Sequence, residues 1–208
     1  MFKKITPLIV GSWSLATFLS WLFTGSNIFA TQFNLEPSMK LFTSLCLALI
    51  STSIFFLNYN KEKFDLLIQC CKNVVFFFCI IIIVEQISSM LSGTSEFLSE
   101  AKSMFFNFPA IETVVNFLLL SWFIKKARRG ITVVWPLIIV ATISTIATLG
   151  HISGLSFLYF GIGRMVGMAI DTSLCLLALS LAALPTGTFN KLIDWATKPT
   201  IAYGQENP

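Results

Sequence analysis

The stretch "TSLCLLALSLAALP" (residues 172–185) decides the fold, because its first five letters occur once before, in "TSLCLALIS" from Thr43. Each copy opens an apolar run that is free of charged residues. A surface helix of a soluble domain shows a polar face at helical spacing. A run that is apolar all round is buried in a large core or in a membrane. Composition selects the membrane: 55% of the 208 residues are hydrophobic and only 12% are charged, against about 25% charged in a soluble domain.

Working outward from the two copies, the charges fall in clusters separated by long gaps. No Asp, Glu, Lys or Arg lies between Lys4 and Glu36, Lys40 and Lys61, Gly130 and Gly163, or Thr172 and Asn190. A bilayer core of about 30 Å takes roughly 20 apolar residues per helix. The pattern predicts an all-α integral membrane bundle of six spans, at 8–23, 39–57, 66–90, 109–124, 131–149 and 165–184. Runs such as "VVFFFCIIII" read as buried strands when taken alone, but their length and spacing favour helices, which satisfy every backbone polar group internally. A barrel would alternate polar and apolar residues, and these segments do not.

Orientation follows from the basic residues. Lys3, Lys4, Lys61, Lys63, Lys125, Lys126, Arg128, Arg129, Lys191 and Lys198 fall on one side, and only Lys40, Lys102 and Arg164 in the opposite connections. Positive loops stay in the cytoplasm, so both termini are predicted inside. The opening "MFKK" plus an apolar run resembles a secretory signal. "NIFA", however, puts Ile28 where a cleavage site wants a small residue, and an uncleaved first span keeps the charge pattern.

The repeated pentapeptide adds an internal symmetry. "MKLFTSLCLAL" aligns with "MAIDTSLCLLA", with Met39 and Met168 also in register, and "PAIETVVNFLLLS" supplies a third, weaker copy around Thr113. In it Asn116 stands where the others have Cys46 and Cys175, and Glu112 stands at the place of Asp171. These are the starts of the second, fourth and sixth spans. The chain reads as three helix pairs, each an outward span, an outer loop and a returning span. Parallel repeats of this kind imply approximate rotational symmetry about the membrane normal.

The returning spans resemble the membrane sensor regions that begin many bacterial histidine kinases and diguanylate cyclases. The resemblance covers about residues 36–185. It rests on "GIGRMVGMAIDTSLCLLALSLAAL", on "LGHISGLSFLYFG" before it, on "IIIIVEQISSMLSG" with Glu85 at the family's acidic position, and on "FFNFPAIETVVNFLLLS". Asp171 and Glu112 depart from it, standing where Asn or His is usual. The resemblance implies a sensory module in the bacterial cytoplasmic (inner) membrane. No kinase or cyclase follows before Pro208, so the expected output partner is a separate cytoplasmic kinase or cyclase, unless the chain is part of a longer sensor.

Chemistry is sparse. Phosphate loops, nucleophile elbows and Cys-x-x-Cys motifs are absent, and a single histidine excludes a bis-His haem and argues against zinc. No metal, cofactor or catalytic residue is expected. Cys46, Cys70, Cys71, Cys79 and Cys175 lie in or beside spans and read as small hydrophobes. The candidate ligand-binding residues are Glu85, Glu112, His151, Arg164 and Asp171, all placed near the outer ends of spans. Ionisable groups at such depth are costly and mark a site by default. The plain alternative is that Glu112 and Asp171 serve the dipoles of their helices. The functional version is a shallow outward pocket for a cation, a small cationic or amphipathic ligand, or protons.

Two segments lie outside the spans. "SGTSEFLSEAKSMFFNF" (92–108) reads as an interfacial helix or a lid. "TGTFNKLIDWATKPT" opens an amphipathic cytoplasmic tail (186–208) with disorder expected from about 198. A sensor is the first reading, a small-solute transporter or channel the second and a lipid-modifying enzyme the third. Partners are the lipid bilayer, the output protein and, as an open option, a second copy of the chain. Nucleic acid is not expected, because the +4 charge is taken up by cytoplasmic loops.

Overall fold

The computed structural model describes residues 2–28, 39–92, 109–155 and 168–185, with backbone alone at 85, 86 and 88–92. The described residues hold six helices and no strand: α1 (Phe2–Thr24), α2 (Leu41–Asn60), α3 (Asp65–Ser92), α4 (Ile111–Arg128), α5 (Trp135–Ser153) and α6 (Ile170–Ala183). Four of them, α1, α2, α3 and α5, are long and apolar enough to cross a membrane. The 14 residues of α6 rise only about 21 Å at 1.5 Å each, and α4 carries Glu112 and three basic residues near its ends.

Helix ends follow local chemistry, and they shift the expected boundaries. The fifth helix starts later than the sequence pattern suggested, because Gly130 turns the chain at φ 74 and Pro136 then sits in the first turn. There its fixed φ and missing N–H cost nothing. That helix ends on Gly154 at φ 69, where the Leu155 N–H reaches the Gly150 carbonyl at 2.9 Å. A left-handed glycine of this kind closes a helix without a Cβ penalty. The first helix begins earlier than expected and carries Pro7 near its start. The expected start of the sixth span at 165–167, the 92–108 segment beyond Ser92 and the 186–208 tail lie outside the described residues.

The helices close a ring in chain order, each packing on the next and α6 on α1. The most extensive packing joins α1 to α2, α5 to α6 and α3 to α4. Inside the ring α2, α4 and α6 touch one another as well. Exposure divides the helices in the same way. Exposed large apolar side chains are many on α1 (Leu8, Ile9, Leu15), α3 (Phe76, Phe77, Ile80) and α5 (Ile138, Ile146, Ile152). The inner helices show one each, Tyr59, Val115 and Leu174. An apolar belt of this size is a liability in water and the expected surface in lipid.

The inner helices bury the same positions. Aligned on Thr43, Thr113 and Thr172, they begin at Leu41, Ile111 and Ile170 and bury Leu47, Phe117 and Leu176, then Ile50, Leu120 and Leu179, then Ser51, Ser121 and Ser180. The outer helices α1 and α5 match likewise: Val10 with Val140, Ser14 with Ser144, Thr17 with Ala147 and Ser20 with Gly150 are all buried.

The far ends are also tied pairwise. Asn58 donates to the Lys3 carbonyl at 3.1 Å, joining the end of α2 to the start of α1. Arg128 grips Asp65 through two hydrogen bonds, joining the end of α4 to the start of α3.

α1 and α2 approach tightly at Gly11, where a Cβ would stand 3.3 Å from the Ser51 Cβ. Lipid tails are as apolar as leucine, so such close approach drives helix association. Gly11→Leu is expected to cost about 1–3 kcal/mol through overpacking and to lower the melting temperature of the detergent-solubilised protein by several degrees. Ile9→Leu on the exposed face should leave it unchanged.

Candidate functional site

The inner helices all start at one end of the ring, and none has a side-chain cap on its first turn. The carbonyl of the residue before each N-cap lies outside the helical ladder and must find a donor elsewhere. At the start of α2 that carbonyl belongs to Met39. It accepts from the Trp21 indole at 3.0 Å and from Asn27 at 3.4 Å. At the start of α6 it belongs to Met168, and His151 Nε2 lies 2.7 Å from it. A carbonyl only accepts, so Nε2 carries the hydrogen. Trp21 and His151 hold corresponding places on α1 and α5, so the same junction is closed twice by different ring N–H groups.

Asp171 sits in the first turn of α6, buried, and its Oδ1 accepts the Thr172 N–H at 2.9 Å. The Met39 backbone and the His151 ring lie within electrostatic reach of its carboxylate. It stands between the starts of α6 and α2, at the positive end of its helix dipole. The Thr148 hydroxyl donates to the Ser173 hydroxyl at 2.9 Å and ties α5 to α6 one turn below.

Glu112 holds the matching place on α4 and behaves differently. Its Oε2 is buried with no hydrogen-bond partner among the described residues. One turn further, on the same face, Asn116 is fully buried, and neither its amide nitrogen nor its oxygen has a partner among the described residues. An unmet buried polar group costs about 1–3 kcal/mol. At the corresponding positions α2 and α6 place cysteine, which asks for no partner.

The five sequence-level candidates thus divide. His151 and Asp171 come together at the α5–α6 junction and spend their polar atoms on backbone groups. Glu112 stands at the same end on α4, joined to them by no hydrogen bond or ion pair among the described residues. Glu85 lies on the described backbone of α3, with its side chain outside the described set, and Arg164 lies outside the described residues. Sequence reasoning passed over Trp21 and left Asn116 off the list of candidates. The signal for Asn116 was present, since it is the odd member of a Cys, Asn, Cys set. That for Trp21 was its place opposite His151 when α1 is laid on α5.

No group of three or more His, Cys, Asp or Glu side chains is placed to hold a metal ion among the described residues. Comparison of the chain with protein-family models, with curated proteins and with solved structures yields no match.

The two halves of this arrangement predict opposite stability effects. His151→Phe removes the ring N–H from the Met168 carbonyl and should destabilise the protein by about 1–3 kcal/mol, and Trp21→Phe, which leaves the Met39 carbonyl with the longer Asn27 bond, should destabilise it less. Asn116→Cys removes two unmet groups and should leave stability unchanged or raise it. Thermal denaturation of the three variants in one detergent checks both signs.

Proposed function

We propose that this chain is a multi-pass membrane sensor module that binds a cation at the mouth of its inner helices, through Glu112 and Asn116. The chain crosses the membrane six times with both termini cytoplasmic, as three outward-and-returning helix pairs. What supports the three-pair reading is the matched burial on α2, α4 and α6, the matched burial on α1 and α5, and the pairwise closures at Lys3–Asn58 and Asp65–Arg128. In this arrangement α4 and α6 need not meet the full hydrocarbon thickness in lipid contact, because the outer helices shield them.

The observation that carries the binding reading is the unmet pair on α4, a carboxylate oxygen and a complete carboxamide buried on one face without partners among the described residues. At the place of Asn116 the two counterpart helices carry Cys46 and Cys175, and at the place of Glu112 they carry Phe42 and the hydrogen-bonded Asp171. Retaining unmet polar groups at a measurable cost is the signature of a site kept for function. The ligand class is cationic, since the unmet carboxylate oxygen and amide oxygen both accept. His151 and Asp171 hold the neighbouring α5–α6 junction rigid, and a ligand that draws on Glu112 shifts α4 against it. That motion reaches a cytoplasmic kinase or cyclase, a separate output protein in this reading, in the bacterial inner membrane that the sequence resemblance points to.

Transport is disfavoured by the same placement. The unmet carboxylate lies at one end of the bundle with Asn116 one turn along, and none of the described helices breaks at mid-membrane as transporter helices do around their ions. Catalysis on lipid would need a nucleophile or a metal beside the carboxylates, and we propose a non-enzymatic role.

The test is a thermal shift on the purified protein with sodium, potassium, magnesium, calcium and spermidine. One of these at about a hundred times its dissociation constant should add about 2.7 kcal/mol, a rise of roughly 5–10 °C for a chain of this size. Glu112→Gln should abolish the rise. A wild-type protein indifferent to all five, or an equal rise in Glu112→Gln, contradicts the assignment.

A further inference from the structure

The end of the bundle opposite Glu112 carries the other sign of charge. Lys72 stands about two turns along α3, half-buried, within electrostatic reach of Lys125, Arg128 and Arg129 at the end of α4. Asp65 already gives both of its oxygens to Arg128. Lys72, Lys125 and Arg129 form no ion pair among the described residues. Cations gathered this way repel one another, and one set inside an apolar helix is costly unless an anion meets it.

The surroundings say which kind of anion. The Trp122 and Trp135 rings lie 4.9 Å apart, with the Lys126 ammonium 5.4 Å from the Trp122 ring centre. Tryptophan and lysine in this combination belong at headgroup depth. Along α3 from Lys72, Phe76 and Ile80 follow at helical spacing on the same face, and both are exposed. Basic side chains and an apolar strip meet where α3 and α4 pack, and the tryptophan pair between α4 and α5 marks headgroup depth beside them. A free anion would have no use for the strip.

We infer that the groove between α3 and α4 binds an anionic phospholipid, with its phosphate on Lys72, Lys125 and Arg129 and its acyl chains along Phe76 and Ile80. Arg128 stays with Asp65 and holds the two helices at the spacing the headgroup needs. Basic pockets between membrane helices are a recurrent way of holding such headgroups. The site is independent of the cation mouth, since it needs only that the helices lie in lipid.

Native mass spectrometry of the whole protein in detergent, titrated with phosphatidylglycerol, tests this. The wild-type chain should retain phosphatidylglycerol saturably and phosphatidylcholine at least tenfold less well. The combined variant Lys72→Gln, Lys125→Gln and Arg129→Gln should weaken retention at least tenfold. Lys61→Gln with Lys63→Gln, which removes charge from the α2–α3 connection, should change it less than twofold. Equal retention of phosphatidylcholine, an equal loss in the Lys61/Lys63 variant, or full displacement by equimolar inorganic phosphate would each overturn the proposal. Should the triple variant not fold, the wild-type preference between the two lipids and the phosphate competition still decide it.

Discussion

A chain that turns back into a membrane must satisfy the peptide groups at the point of re-entry, and the rest of this structure depends on how it does so. The first turn of a helix cannot serve the carbonyl before its N-cap. In lipid an unmet carbonyl costs several kcal/mol. Met39 and Met168 meet this requirement through Trp21 and His151, ring donors from the preceding helix. Each such bond fixes where one outer helix ends against one inner helix. The buried stripes then fall into register along the full length of each pair, down to Gly11 against Ser51.

Once the junctions are closed, the polar groups of the bundle sort by whether they are met. Asp171 is met, by the Thr172 N–H. Glu112 and Asn116 are not. The hydroxyls of Ser14, Ser51, Ser121 and Ser144 are also unmet, but they are small, uncharged and spread over four helices. Glu112 and Asn116 are adjacent on one face, and one of them is a carboxyl group. The bundle is also polarised end to end along α4, with Glu112 in its first turn and Lys125, Lys126 and Arg128 in its last. This sense favours the helix dipole at both ends. It gives the molecule an acidic mouth at one end and a cationic rim at the other.

Most of the architecture was legible in the sequence, because charge-free runs and helix periodicity are local properties. Six helices stand close to where six apolar runs predicted them. The boundaries moved by a few residues, the start of α5 because Gly130 turns the chain and Pro136 opens the helix, while α2, α4 and α5 run three or four residues past the expected ends and α1 begins before Pro7. Membrane-crossing length and apolarity hold for four helices, since α6 is short and α4 is charged at its ends. Of the site, the acidic places on α4 and α6 were visible from the repeated threonine. Their different fates were not, because whether a carboxylate finds a backbone N–H depends on tertiary placement. Met39 comes to Asp171 from a helix more than a hundred residues away in the chain, and no local pattern encodes that.

The central claim is that the mouth formed by the starts of α2, α4 and α6 faces outward, opposite the cationic rim. Thiol labelling in intact cells measures this directly. In a cysteine-free background, Leu155→Cys lies beside the mouth and Lys61→Cys lies at the rim. The account predicts that a membrane-impermeant maleimide labels Leu155→Cys in intact cells and Lys61→Cys only after permeabilisation. The reverse pattern, or equal labelling of both, would contradict it.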